Sequence, residues 1–222
     1  MIIRQNNIEV GDINSEEDYK INNRKEILEN SLFFDLEHYI YKKPICVGVF
    51  GCCYFNKEKH KICVTQYMIE NEKDSIEILY FIKDYFYEMI RKYKKKYIIT
   101  FSGNNDFTVI KYLFNKYNIS CKVLESFVNI DLQKKYEKQE KVSIGLKALE
   151  KKFNILRKSE VLSGQNLAKT FGRIVKDSDY INRMPNDKKE RILLYNEQDV
   201  VSLFYIYLNW DKVLNSQLIG AN

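Results

Sequence analysis

Leu32-Phe33-Phe34-Asp35-Leu36-Glu37 is the stretch from which the fold of this chain can be read. Side chains along a β-strand alternate between faces, so Leu32, Phe34 and Leu36 share one side and Phe33, Asp35 and Glu37 the other. The first set is a core face. The second sets two carboxylates roughly 7 Å apart on one strand face, where they repel unless solvent or a cation lies between them. Taken alone, the pair is either a strand end with both acids in water or half of a divalent-cation site.

The segments on either side supply a sheet and its helices. Ile45–Phe55 and Lys61–Ile69 are β-rich runs separated by the charged turn Asn56–His60, a pattern that predicts a hairpin. Asp74-Ser75 offers a helix cap, and Ile76, Leu79, Ile82, Phe86, Met89, Ile90 and Tyr93 then recur at helical spacing. A strand, Tyr97–Phe101, ends in Ser102-Gly103-Asn104-Asn105-Asp106, the turn opening a second helix along Ile110, Leu113, Phe114 and Tyr117. Cys121–Leu124 is the expected fifth strand. Beyond Asn129 the pattern is helical, with one helix capped by Ser143, another over Gln165–Val175, and a long one from Pro185 to about Asn209. The expectation is an α/β domain over residues 31–209, a central mixed five-stranded sheet flanked by helices with a mostly helical C-terminal half. Residues 1–30, with a weak helical pattern around Ile21 to Leu28, read as a lead-in arm, and 210–222 as a tail.

Composition narrows the chemistry. With 222 residues, 45% hydrophobic and 14% aromatic, the chain can bury one substantial core. No apolar run approaches the roughly 18 residues of a membrane span, and Met1-Ile2-Ile3-Arg4 leads into polar sequence instead of a signal-peptide core. A soluble cytoplasmic protein with no membrane partner is expected. The five cysteines lack Cys-x-x-Cys spacing and His38 and His60 are the only histidines, which excludes zinc and histidine-rich metal sites. A net charge of +6 suits a polyanionic partner, although the abundance of Lys, Asn, Ile, Tyr and Phe is also what AT-rich coding sequence yields. The run Arg91-Lys92-Tyr93-Lys94-Lys95-Lys96 is either a phosphate-attracting patch or the solvated, dipole-matched end of a helix.

The long last helix carries Tyr195-Asn196-Glu197-Gln198-Asp199, in which Tyr195 and Asp199, four apart, share a face. The pair is a surface or core-edge contact, or part of a site. Asp106 stands where a strand ends and a helix begins, either as a first-turn acid or at the crevice where open α/β sheets bind ligands.

Together these motifs resemble the DEDD exonucleases of the ribonuclease H-like fold, and within them the YprB-like branch. Phe34-Asp35-Leu36-Glu37 looks like the first motif, Phe101-Ser102-Gly103-Asn104-Asn105-Asp106 the second and Tyr195-Asn196-Glu197-Gln198-Asp199-Val200 the third, with Tyr195 matching the tyrosine variant. Leu146-Lys147-Ala148-Leu149-Glu150, Arg157 and Gly164 resemble the branch-specific stretch. The chain departs from the pattern in having His38-Tyr39 where many relatives place Thr, Asp106-Phe107 where Phe-Asp is common, and Glu160 where Asp is common.

The resemblance implies Asp35, Glu37, Asp106 and Asp199 as ligands of two Mg²⁺ or Mn²⁺ ions, hard cations suited to oxygen donors, with Tyr195 orienting the attacking water. The implied activity is 3′→5′ hydrolysis of phosphodiester bonds in a single strand or 3′ end, DNA or RNA. Arg157, Asn105 and His38 are candidate substrate contacts, as is Lys134-Lys135; an internal salt bridge or solvated face is the alternative for the cations. A catalytically idle nucleic-acid-binding or adaptor domain and a ribonuclease H-type endonuclease are the competing functions.

Overall fold

The computed structural model of the chain describes residues 1–10, 24–157 and 162–214. In chain order they form β1 (Ile2–Glu9), α1 (Arg24–Glu29), β2 (Ser31–Tyr41), β3 (Lys43–Asn56), β4 (Lys61–Met68), α2 (Asp74–Arg91), β5 (Tyr97–Thr100) and α3 (Asn104–Lys116). There follow α4 (Lys122–Glu125), β6 (Val128–Asp131), α5 (Leu132–Glu140), α6 (Leu146–Lys152), α7 (Gly164–Lys176), α8 (Tyr180–Arg183), α9 (Asn186–Leu208) and α10 (Trp210–Leu214). The strands make one six-stranded mixed sheet in the order β1-β4-β3-β2-β5-β6. β1 to β4 pair antiparallel, whereas β2, β5 and β6 run parallel.

Alternation along β2 divides the core in two. Leu32, Phe34 and Leu36 pack with Ile78, Ile82 and Phe86 of α2 and Ile110 and Phe114 of α3. Phe33 points the other way, onto α9, its ring 5.5 Å from Phe204 and edge-on. The face carrying the two acids is therefore helix-covered along its length, apolar at Phe33 and polar from Asp35 onward.

What lets α9 descend onto that polar end is an absent side chain. Asp35 is cross-strand partner to Gly51, and Gly51 to Gln66, so the three form a row across β2, β3 and β4. A Cβ on Gly51 would lie 2.0 Å from Oδ1 of Asn196. In the space so left, Asn196 accepts from Gln66 Nε2 at 2.8 Å and donates to Asp35 Oδ2 at 3.1 Å. Gln66 also donates to the Leu193 carbonyl at 2.8 Å.

A second close approach fixes α7. The β2–β3 register shifts between Glu37, opposite Val49, and His38, opposite Val47, leaving Gly48 as the extra residue of a β-bulge. A Cβ there would meet the Phe171 ring at 2.3 Å. The bulge seats α7 across the sheet at the point where the acidic strand turns.

Three expectations need correction. Residues 2–9, read as part of an arm, form the edge strand β1; its mostly exposed, polar pattern hides the strand, and it is tied to α9 through Arg4 with Glu190 and Asn6 with Glu197. Cys121–Leu124 is not a strand: α4 occupies it, burying Val123 and Leu124, and the strand beyond β5 is the short, half-exposed β6, which also ends the expectation of wholly helical structure past Asn129. Trp210, placed in the tail, is fully buried in the second core, with Gln139 accepting from its indole at 3.2 Å. Residues 11–23, Glu160 and 215–222 lie outside the described residues. None of the described helices is long and apolar enough to cross a membrane.

Candidate active site

Three carboxylates converge where β2 passes beneath α9. Asp35, Glu37 and Asp199 each present an oxygen, and the three ligand atoms lie within 4.8 Å of one another. Asp35 and Glu37 are half-buried and Asp199 is buried. Burial, reinforced by the charge of Asp199, pushes the Asp35 carboxyl up to about 7, and burial with Asp35 and Asp199 pushes Glu37 well up. Carboxylates so crowded share a deficit of positive charge.

The chain meets part of that deficit itself. Lys147 of α6 places its ammonium 2.5 Å from Asp199 Oδ1, and the Arg157 guanidinium bonds the same oxygen. Arg157 also grips Glu150, itself buried, with Nε to Oε2 at 2.7 Å and Nη2 to Oε1 at 2.5 Å. Both cations lie over the Tyr195 ring, Lys147 Nζ at 4.4 Å and Arg157 Cζ at 5.3 Å from its centroid. Burial, with Asp199 and Glu37 nearby, pushes the Tyr195 phenol above its ordinary value, so it holds its proton at neutral pH.

Asp106 stands beside this group, not inside it. It is buried in the first turn of α3, its Oδ1 3.8 Å from His38 Nε2, and Asn105 Nδ2 lies 3.3 Å from that same nitrogen. Burial, Asp35 and Asp131 push the Asp106 carboxyl well up, which makes it an electrostatic neighbour of the cluster. Asp131, from the end of β6, accepts from the Ser102 amide at 3.1 Å and so holds the turn preceding α3.

Of the residues expected from sequence, Asp35, Glu37, Asp199 and Tyr195 thus come together, while Asp106, Asn105 and His38 form an adjoining group. Arg157 serves the internal salt bridge that was the alternative to phosphate contact; its Nη1 is buried without a partner among the described residues. Lys134, on the first turn of α5, lines a different recess, with Thr100 and Asp131. The basic run at the end of α2 includes a buried Lys95, and so is not a wholly solvated face. Sequence reading missed Asn196 and the pairing role of Lys147. The only signals were adjacency to Tyr195 for the first and the Lys147–Glu150 spacing of one helical turn for the second.

The donor set is carboxylate oxygen alone, half-buried, electron-rich and without histidine or thiolate, which suits a hard divalent cation. A family model described as RNase_H superfamily matches residues 32–210, from the acidic strand to the end of the long helix. The chain belongs to the RNase_H superfamily. Members are generally hydrolytic nucleases that act on nucleic acid and usually use divalent metal ions, and the buried acidic cluster of this RNase_H superfamily domain is consistent with such use. A search of curated proteins found no match.

Proposed function

We propose that this RNase_H superfamily chain is a metal-dependent 3′→5′ exonuclease of the DEDD tyrosine type, akin to the YprB-like branch. The observation that carries the reading is the convergence of Asp35 and Glu37 from one strand with Asp199 from a helix more than 160 residues later, their oxygens within 4.8 Å, one helical turn from Tyr195.

Asp35, Glu37 and Asp199, with Asp106 beside them, are the residues that would hold two Mg²⁺ or Mn²⁺ ions. Ions bound there supply activation of water and neutralisation of charge in an in-line displacement at phosphorus. Tyr195, which keeps its proton, is suited to orient a water through its hydroxyl and not to act as base. Asn196 holds the Asp35 carboxylate in one orientation through its 3.1 Å bond. His38 lines a recess of about 370 Å³ with Glu37, Ile40, Gly164 and Gln165, and there, beside Asn105, the terminal nucleotide is proposed to sit.

The test is nucleotide release from an end-labelled oligonucleotide in Mn²⁺. Asp35→Asn and Asp199→Asn are expected to abolish release with the far-ultraviolet dichroism unchanged, and release at the wild-type rate by either rejects the assignment. Mononucleotide products support the exonuclease, internal fragments a ribonuclease H-type endonuclease. The ion pairs on Asp199 favour a second reading, an idle nucleic-acid-binding domain whose own cations neutralise its acids; strand binding with no cleavage in Mn²⁺ would establish it.

A further inference from the structure

α7 has two sides that face different recesses. Gly164, Gln165 and Ala168 border the recess beside Glu37 and His38, whereas Asn166, Lys169, Thr170 and Arg173 form one wall of a separate groove of about 300 Å³. The opposite wall is the start of α9, with Lys188, Arg191 and Ile192, and the floor is apolar, from Leu162 and Leu167. Four of the residues lining this groove are Lys or Arg and none is Asp or Glu. Spacings of four along α7 (Lys169, Arg173) and three along α9 (Lys188, Arg191) put the cations on facing helix surfaces.

These cations have few partners of their own. Arg191 pairs with Asp187 at 3.0 Å, but no carboxylate among the described residues pairs with Lys169, Arg173 or Lys188. The nearby acids of the α7–α8 turn, Asp177 and Asp179, are both engaged by Arg183. Lys188 Nζ instead reaches the Tyr180 hydroxyl at 3.4 Å, and Arg173 lies over the same ring with Cζ 5.9 Å from its centroid. Burial acts to raise the Tyr180 phenol, yet hydrogen bonds from Arg173 and Lys188 hold it below its ordinary value, a sign of positive potential in the groove.

From this geometry we infer that the α7–α9 groove binds the sugar–phosphate backbone of a nucleic-acid strand at a distance from the carboxylate cluster, with Lys169, Arg173 and Lys188 each contacting phosphate. Helical rise puts Arg173 roughly 8 Å along α7 from Ala168, so a strand whose end lies beside Glu37 can follow this helix outward. Phosphate contacts of this kind fix register without reading sequence. The inference rests on the nuclease reading for the identity of the polymer but not for the existence of the groove.

The experiment compares the full chain with Lys169→Gln/Arg173→Gln/Lys188→Gln and with a control of equal charge change, Lys92→Gln/Lys94→Gln/Lys96→Gln, at exposed positions beyond the far end of α2. Binding of a fluorescein-labelled single-stranded oligonucleotide is followed by anisotropy in EDTA across a salt series. Three lost contacts lower the slope of log affinity against log salt by about 2, which at about 0.1 M salt is roughly a hundredfold weaker binding. The control is expected to change neither measurably. Equal losses in both variants, or no loss in the groove variant, overturn the inference. Displacement of the oligonucleotide by poly-glutamate at equal charge concentration also overturns it, in favour of an acidic protein partner.

Hydrolysis of a small p-nitrophenyl phosphodiester in Mn²⁺ separates the two proposals. The groove variant is expected to retain it while losing turnover of long strands. A wild-type chain that binds strands with the full salt slope but hydrolyses nothing refutes the nuclease reading and supports the groove.

Discussion

Gly51→Ala tests the join between sheet and long helix on which the site depends. The added Cβ would stand 2.0 Å from Asn196 Oδ1, 2.7 Å from Cγ and 2.8 Å from Nδ2, all atoms of one fully buried side chain. Asn196 cannot rotate aside without losing the bond from Gln66 at 2.8 Å and the bond to Asp35 at 3.1 Å. Overpacking of this kind costs about 1–3 kcal/mol, and unpaired buried polar groups a further 1–3 kcal/mol or so. The variant should therefore lose about 2–6 kcal/mol in urea unfolding, or roughly 5–25 °C in Tm for a chain of this size. Asn196→Ala alone removes the hydrogen bonds but not the space and should lose about 1–3 kcal/mol. In the double variant nothing remains for the new methyl to strike, so its loss should match that of Asn196→Ala, which makes the coupling between the sites equal to the whole Gly51→Ala loss, about 2–6 kcal/mol. Strictly additive losses, or a Gly51→Ala protein as stable as the wild type, would refute the account of why a glycine faces Asp35.

Two further outcomes follow from Lys147, which is partly exposed, and Lys95, which is buried. Lys147→Met withdraws the ammonium 2.5 Å from Asp199 Oδ1, and since a charge at that range contributes on the order of 1–4 kcal/mol in a partly solvated setting, Mn²⁺ affinity by calorimetry should rise about tenfold or more; unchanged or weaker affinity would show that the lysine does not compete with a cation. Lys95 is buried, donates to the Glu29 carbonyl at 2.5 Å, lies over the Tyr54 ring and is lowered by desolvation from 10.5 to about 8. Between those two values the unfolded chain holds a proton the folded chain has shed, so stability rises with pH there, while below about 8 the full penalty of about 3 kcal/mol is present. Relative to Lys95→Met, the wild type should gain most of that amount in urea unfolding between pH 7 and pH 10, and a difference that does not vary with pH would falsify the assignment.

How much of this was legible before coordinates depended on where each signal lives. The β3–β4 hairpin, α2, α3 and α9 carry strong periodicity or clear turn residues and stand within a residue or two of the boundaries read from sequence, and β2 starts where it was read but runs on past Glu37 to Tyr41. β1 and β6 were not legible because each lies at a sheet edge with much of its surface exposed, so no apolar alternation is imposed on either. Cys121–Leu124 misled because Val123 and Leu124 are buried in a single helical turn, and four residues cannot distinguish a period of 2 from one of 3.6.

The site shows the same division, for a different reason. Asp35, Glu37, Tyr195 and Asp199 could be singled out because spacing within one element fixes which of them share a face. What no spacing within an element reveals is which cation or amide from elsewhere arrives to meet them. Arg157 and Lys147 reach Asp199 across 42 and 52 residues, and Asn196 reaches Asp35 across 161. The arrival of Asn196 is governed by backbone approach, and Gly51 is the position where the approach becomes visible: a residue with no side chain, directly opposite an acid, in a strand whose buried positions on either side are Phe50 and Cys52. A glycine in a buried strand marks close approach of another element, and here the approaching element carries the third carboxylate. The glycine opposite Asp35 thus marks, from the sheet side, the place where the helix that completes the cluster comes down on β2.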